Sequence, residues 1–174
     1  MKRICIIALS VVLTFACLAA LFSCGDKSVL KKYEKIVREA AFRQVDCEIT
    51  AGDLSARSTL KAGEGTVTYT LYNPLSISSS GTEMKTETEV PLANGSNTVD
   101  IQALNFDEGN FSALSEENGT MTATVCNPDA FFGSAVDADT AVLTITAQND
   151  TLTSMSVSYT TKSGSAVTIR ASFS

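Results

Sequence analysis

The chain has 174 residues, with 13 lysines and arginines, 19 aspartates and glutamates and no histidine, which gives a net charge of −6. This acidic balance argues against nucleic acid as a partner, because nucleic-acid binding requires clustered cations. Without histidine the chain can form no Ser-His or Cys-His catalytic pair and no histidine metal site.

The first 24 residues have the organisation of an export signal. Lys2 and Arg3 precede an almost unbroken apolar run from Ile4 to Phe22. The run ends at Leu21-Phe22-Ser23-Cys24, which resembles the lipobox of bacterial lipoproteins. The resemblance covers only this segment, and Phe22 departs from it because a small residue is usual there. It implies a signal peptide over residues 1–23, cleavage before Cys24 and a diacylglycerol thioether on the Cys24 sulfur.

Lipidation of Cys24 would anchor the protein in the cell envelope, either on the outer side of the cytoplasmic membrane or at the outer membrane or cell surface. The alternative is an uncleaved transmembrane helix, since the 19 residues of the apolar run are just long enough to span a bilayer. Both interpretations place residues 25–174 outside the cytoplasm. Removal of the signal leaves 11 cations and 19 acids, a net charge of −8, which argues against attraction to an anionic membrane surface.

A short tether over residues 24–27 leads into a predicted helix over about residues 28–42. Five apolar residues recur there at helical spacing: Val29, Tyr33, Ile36, Val37 and Ala40. Charged residues occupy the other face, as is typical of a helix that packs on a core.

From Val45 to Ser174 the apolar residues alternate with polar ones, which predicts an antiparallel meander of about nine strands. The pattern is clearest in the last 35 residues, where Asn149-Asp150 and Ser163-Gly164 predict tight turns. Three apolar rows are predicted there: Ala141, Leu143, Ile145 and Ala147; Met155, Val157 and Tyr159; and Val167, Ile169, Ala171 and Phe173.

The predicted fold is therefore α+β, a single domain over residues 28–174 with one N-terminal helix and an antiparallel sheet. One helix cannot cover a flat sheet of nine strands, so we expect the sheet to curl into a half-barrel or barrel, with a two-layer sandwich as the alternative. A curled sheet with a helix in its mouth resembles the periplasmic lipoprotein carriers of the LolA and LolB type. That resemblance concerns architecture alone.

The segment from Gly65 to Pro74 recurs from Gly119 to Pro128, with six of ten positions identical at an offset of 54 residues. Both copies end in Asn-Pro, which closes a strand because proline cannot donate to a ladder. The pattern favours a duplicated unit over chance similarity among threonine-rich strands.

Two cysteines, Cys47 and Cys126, remain beside Cys24 once the signal is removed, and outside the cytoplasm such a pair suggests a disulfide. The strand phases oppose it, because Cys47 alternates with apolar Val45 and Ile49 whereas Cys126 alternates with threonines. Both possibilities stay open at this point.

The candidate ligand-lining residues are Phe131 and Phe132, which follow a strand directly, and Tyr69. Phe131 and Phe132 could sit at a ligand mouth, but plugging of the sheet end by these aromatic side chains is favoured. Several glutamates share one strand near Glu83 and could be read as catalytic carboxylates, but a solvated charged face is favoured. No catalytic residue, metal site or cofactor is predicted.

The sequence thus favours a lipid-anchored, non-catalytic domain that binds a partner in the cell envelope or has a structural role there. The alternative is a carrier that holds a lipid or acyl chain inside the curled sheet. A hydrolase is the third and least favoured hypothesis for the function. The predicted partners are the membrane, through the lipid on Cys24, and an envelope protein or an apolar ligand.

Overall fold

The computed structural model describes residues 26–52, 54–63, 66–77, 83–91, 99–100 and 104–174. The predicted signal peptide and Cys24 lie outside these described residues. Within them a helix precedes a set of antiparallel strands, which confirms the predicted order of an N-terminal helix before an antiparallel sheet.

Residues 26–39 are helical and are called α1. Its buried side chains lie at helical spacing: Leu30, Tyr33, Ile36 and Val37. The helix includes residues 26 and 27, which the sequence assigns to the tether, and it stops before the predicted end at residue 42. It stops early because Ala41–Phe42 form a short strand, β1, which pairs with β6 (Val99–Asp100). A long-range pairing has overridden the local helical pattern.

Nine longer strands follow α1: β2 (Gln44–Ala51), β3 (Leu54–Ala62), β4 (Thr66–Ile77), β5 (Glu83–Pro91), β7 (Phe111–Glu117), β8 (Thr120–Val125), β9 (Ala141–Gln148), β10 (Thr151–Thr160) and β11 (Ala166–Phe173). A 3-10 turn at Glu108–Asn110 precedes β7, and a short helix, α2 (Pro128–Phe132), separates β8 from β9.

The nine strands form one antiparallel sheet in the order β5-β4-β3-β2-β11-β10-β9-β8-β7. Each strand is bonded to the next, so that all nine belong to one continuous sheet. Strands β5 and β7 are the two edges, and within the described residues they do not pair with each other.

The first and last long strands of the sheet are neighbours. Strand β11 pairs with β2 along its length, so that Val45 lies opposite Phe173 and Ile49 lies opposite Ile169. Strand β11 also pairs with β10 on its other side. The C-terminal strand therefore joins the β2–β5 half of the sheet to the β7–β10 half.

The hairpin of β9 and β10 shows why the alternating pattern forms a sheet. Along β9 the burial alternates strictly, with Ala141, Leu143, Ile145 and Ala147 buried, as predicted. The turn places Asn149 and Asp150 at φ values of 50° and 58°, a conformation that these residues tolerate better than most. Both the predicted row and the predicted turn are confirmed.

Helix α1 packs on one face of the sheet, called the inner face. Its buried side chains join one hydrophobic core with inward residues of β8, β9 and β10, such as Met121, Leu143 and Leu152. Strand β11 contributes Phe173, whose ring lies 4.3 Å from that of Phe42. The densest part of the core therefore lies under α1, on the β7–β10 half.

The two copies of the internal repeat occupy equivalent hairpins. Leu60 of β3 lies opposite Tyr69 of β4, and 54 residues later Leu114 of β7 lies opposite Ala123 of β8. The neighbouring pairs Ala62–Val67 and Glu116–Met121 keep the same offset. The duplicated sequence thus forms the same hairpin in both halves of the sheet.

Candidate functional site

The predicted lining residue Phe131 is fully buried. Helix α2 places it there: Asn127 caps the helix, Pro128 occupies its first turn and Gly133 ends it in the left-handed conformation. The Phe131 ring makes edge contacts with the other phenylalanines of this cluster, at 5.6 Å from Phe106 and Phe111 and 4.9 Å from Phe132. Phe131 therefore plugs the end of the sheet, the role that the sequence favours over a ligand mouth.

The other predicted site residues are dispersed. Phe132 is half-buried beside the core. Tyr69 lies in β4, and its side chain lies outside the part of the chain that the structure describes, as does Cys24. The structure does not bring Phe131 and Phe132 into any of the concave surfaces described below.

Cys47 and Cys126 are free thiols. Cys47 lies in β2, and Cys126 directly follows β8, with three strands between β2 and β8 in the sheet. Four interstrand spacings amount to about 19 Å, whereas a disulfide needs Cα atoms within about 7 Å. The structure therefore does not bring Cys47 and Cys126 together for the possible disulfide. Burial raises the pKa of the Cys47 thiol, which favours its protonated form.

The carboxylate of Glu116, on the edge strand β7, accepts hydrogen bonds from two residues of α1. Glu116 Oε1 accepts from Lys32 Nζ at 2.6 Å and from the Tyr33 hydroxyl at 3.2 Å. The hydrogen bond from Lys32 holds the pKa of Glu116 below its usual range, and burial raises the pKa of Tyr33. The arrangement holds a charged group in place on an edge strand and offers no exposed nucleophile, so we assign it a structural role.

The inner face is buried at β9 and β10 and partly exposed at β11, β2 and β3. In one lateral row across the sheet Leu143 is fully buried, Val157 is 4% exposed, Ile169 is half-buried and Ile49 is 43% exposed. The next residue of the row, Ala56 on β3, is half-buried. We call Ala56, Ile49 and Ile169 the inner strip.

Charge is absent from the inner strip because the strands segregate it. Every charged residue of β2, β3 and β11 lies on the opposite, outer face: Asp46, Glu48, Arg57, Lys61 and Arg170. Cys47, Ser58 and Ala171 form the adjoining row of the inner face. The inner strip is thus a partly exposed apolar surface on the same face as the core, which is the property expected of a binding surface for an apolar group. The alternating sequence could show which residues face inward, but not that α1 leaves these uncovered.

A cleft of about 770 Å³ lies where the C-terminal half of α1 meets the start of β10 and the end of β11. Its apolar walls are Ile36, Ala40, Phe42, Leu152 and Phe173. Charged residues lie around it: Lys32, Lys35 and Glu39 from α1, and Asp150 from the β9–β10 turn. We call it the α1–β10 cleft, and its volume is in the range typical of small-molecule sites.

Metal-ligating groups and membrane-spanning helices are both lacking among the described residues. No group of three or more metal-ligating side chains is close enough to hold an ion in this part of the chain. None of its helices combines the length and the apolar character needed to cross a bilayer.

No protein-family model matches the chain, and no curated protein matches it. Among solved structures it is similar to a redesigned beta barrel, mFAP1, bound to DFHBI, with 12% sequence identity and a TM-score of 0.25. The alignment covers 79% of this chain and 95% of the designed barrel. A TM-score this low defines neither a shared fold nor a shared ligand.

Proposed function

We propose that this chain is an exported, lipid-anchored and non-catalytic binding domain. The observation that carries the binding role is the inner strip, where Ile49 is 43% exposed among uncharged residues on the face of the sheet that also carries the core. The lipobox resemblance at Leu21-Phe22-Ser23-Cys24 supports export and anchoring. The absence of histidine supports a role other than catalysis. Turnover by the purified protein in a broad hydrolase panel, lost on carboxylate substitution, would overturn the non-catalytic assignment.

The proposed shape is a half-barrel. Nine strands at about 4.8 Å spacing would make a flat sheet about 43 Å wide, whereas the helical residues 26–39 extend only about 21 Å. Curling of the sheet around α1 buries the β7–β10 half and leaves the inner strip at the open side. Within the described residues β5 and β7 do not pair with each other, which is consistent with incomplete closure.

The inner strip also favours a specific form of this function, a carrier for a lipid or acyl chain. A protein partner would be expected to contact charged or polar groups around an apolar centre, whereas the strip and its adjoining row consist of aliphatic residues, one cysteine and one serine. An acyl chain needs only such a surface.

Lipid anchoring is tested on the full chain in a bacterial host. Mass spectrometry of the membrane fraction should show a mature N-terminus at Cys24 that carries the diacylglycerol mass. A Cys24→Ser variant should lose that mass and remain uncleaved at residue 23. Wild-type protein cleaved at another position, or retained as an uncleaved span, would overturn the anchor and leave the binding role untouched.

The binding role is tested by native mass spectrometry of residues 25–174, which contain the whole described core from Leu30 to Phe173. The native spectrum should show extra mass that is released on denaturation as a lipid. Ile49→Asp should lose that mass. Val142→Asp is the matched control, since Val142 is 44% exposed on the outer face. Equal retention by both variants would exclude the inner strip as the binding surface.

A bare monomer in the native spectrum would remove the carrier form. The binding role would then rest on a protein partner, and a pull-down of envelope proteins with wild-type chain but not with Ile49→Asp would support it. Failure of both measurements would overturn the proposed binding role.

A further inference from the structure

The α1–β10 cleft is a second concave surface, distinct from the inner strip. The strip lies midway along β2 and β11, whereas the cleft lies at the end of β11, where Phe173 forms its wall. The rings of Phe42 and Phe173, tilted by 32° with centroids 4.3 Å apart, lie at this end of the inner face. The cleft therefore needs its own explanation.

The walls of the cleft suit an aliphatic chain. Ile36 and Leu152 come from two different elements, and Phe42 and Phe173 add two aromatic rings. These side chains are held in place by the core to which they belong, so the walls are rigid. The apolar cleft of about 770 Å³ is preformed. Its own side chains therefore lose little conformational entropy when it binds a flexible chain.

The charged side chains around the cleft differ in how closely they are paired with a side chain of opposite charge. Lys32 is engaged by Glu116 at 2.6 Å. Lys35 has only a 3.9 Å pair with Glu39, and both of these side chains are about 70% exposed. Such a surface pair contributes little, so Lys35 can exchange it for another anion. Within the described residues Asp150 makes no ion pair. Lys35 and Glu39 are thus held only by a long pair and Asp150 by none within the described residues, so a cation and carboxylates are available at the same rim.

A head group with a single charge could pair with only one of Lys35 and Asp150. It would be repelled by the other, which carries a charge of the same sign as the head group. A zwitterionic head group satisfies both. We propose that the α1–β10 cleft binds the single aliphatic chain of a zwitterionic amphiphile, with the head-group phosphate at Lys35 and its ammonium at Asp150. Such molecules have the phosphocholine or phosphoethanolamine heads of membrane lipids. The inference adds a ligand class and a second site to the binding role proposed above, and it does not depend on lipidation of Cys24.

The test uses dodecylphosphocholine below its micelle concentration, titrated into isotope-labelled residues 25–174 and followed by amide NMR shifts. Shifts are expected at Ala40, Thr151 and Leu152, which line the cleft. Shifts confined to Ile49 and Ile169 would place the amphiphile on the inner strip and overturn the cleft as its site. The same spectrum thereby separates failure of this inference from failure of the proposed function.

Two variants test the head-group contacts. Lys35→Ala and Asp150→Asn should each weaken binding by roughly tenfold, the order expected for loss of a charge-assisted hydrogen bond. Asparagine tolerates the positive φ of 58° at residue 150, so the turn should be kept. Lys31→Ala is the control, because Lys31 is an exposed lysine of the same helix that does not line the cleft.

The charge of the ligand is tested with two other dodecyl amphiphiles. Dodecyl sulfate carries only the anion and dodecyltrimethylammonium only the cation, so each should bind more weakly than dodecylphosphocholine. Equal binding of all three, or unchanged binding by both rim variants, would overturn the zwitterionic assignment. Unchanged amide spectra of the free variants would show that weaker binding does not come from misfolding.

Discussion

Tyr33 of α1 donates its hydroxyl to Glu116 Oε1 of the edge strand β7 at 3.2 Å. The same oxygen accepts from Lys32 Nζ at 2.6 Å. Tyr33 is fully buried, so its ring belongs to the core while its hydroxyl reaches the sheet edge. One carboxylate oxygen therefore joins two consecutive residues of α1 to β7.

The decrease in the free energy of unfolding at acidic pH should depend on Glu116. Its pKa in the folded protein lies below the ordinary value of 4.5, chiefly because Lys32 donates to it. The stabilisation is therefore present above pH 4.5 and is lost as the pH falls through the lower folded value. Glu116→Gln should cost about 0.2–1 kcal/mol at pH 7 and flatten the decline below pH 4.5, measured by urea unfolding. Glu117→Gln, at the neighbouring exposed position, should keep the wild-type decline.

The decrease in the free energy of unfolding at alkaline pH should depend on Tyr33. Burial raises its folded pKa above the ordinary 10.0, so its contribution is complete below pH 10 and is lost as the pH rises towards the folded value. Tyr33→Phe should cost about 0.5–1.5 kcal/mol at pH 7, because a hydrogen bond to Glu116 is removed, and should weaken the decline above pH 10. A Tyr159→Phe variant with the same loss at pH 7 and the same alkaline behaviour would contradict this assignment.

The β7–β8 turn should tolerate no side chain at Gly119. This residue has a φ of 76°, and an added Cβ would lie 2.6 Å from the carbonyl oxygen of Ala147. Gly119→Ala should therefore destabilise the protein by about 2–4 kcal/mol, from the backbone conformation and the clash together. Gly52→Ala provides the comparison, since Gly52 has a φ of 57° and no atom within 4 Å of an added Cβ. It should cost about 1–2 kcal/mol, and equal losses in thermal unfolding would show that the contact with Ala147 is unimportant.

The aromatic plug should be essential for stability. Phe131→Ala removes a fully buried ring at the centre of the phenylalanine cluster and should cost about 3–5 kcal/mol in urea unfolding. Phe132→Ala should cost clearly less, because Phe132 is only half-buried. A larger loss at Phe132 would mean that α2 is held to the sheet by its outer ring.

Periodicity in the sequence was sufficient to predict the long strands and the helix. The buried row from Ala141 to Ala147 and the Asn149-Asp150 turn depend on local geometry, and both appear as predicted. The short strand Ala41–Phe42 could not be predicted, because two residues carry no period and their partner lies at Val99–Asp100. The same limit explains why the predicted helix extended too far.

The candidate surfaces were less accessible to sequence reasoning. Alternation assigns Ile49 to the inner face but cannot show that α1 leaves it uncovered. The α1–β10 cleft joins residues as distant as Lys35, Asp150 and Phe173, which only the strand order brings together. The adjacent aromatic residues Phe131 and Phe132 were the sequence feature that suggested a ligand site. In the structure Phe131 is buried and plugs the end of the sheet.

The pairing of β2 with β11 affects when the protein can fold. Val45 and Phe173 are opposite each other although 128 positions separate them in sequence. Pairing over such separations is slow, because chain closure must precede any contact. Until residues 166–173 leave the ribosome, β2 and β10 lack their central partner and the two halves of the sheet cannot join. The sheet can therefore be completed only after synthesis of its last strand, and every shorter nascent chain lacks the strand that joins its two halves.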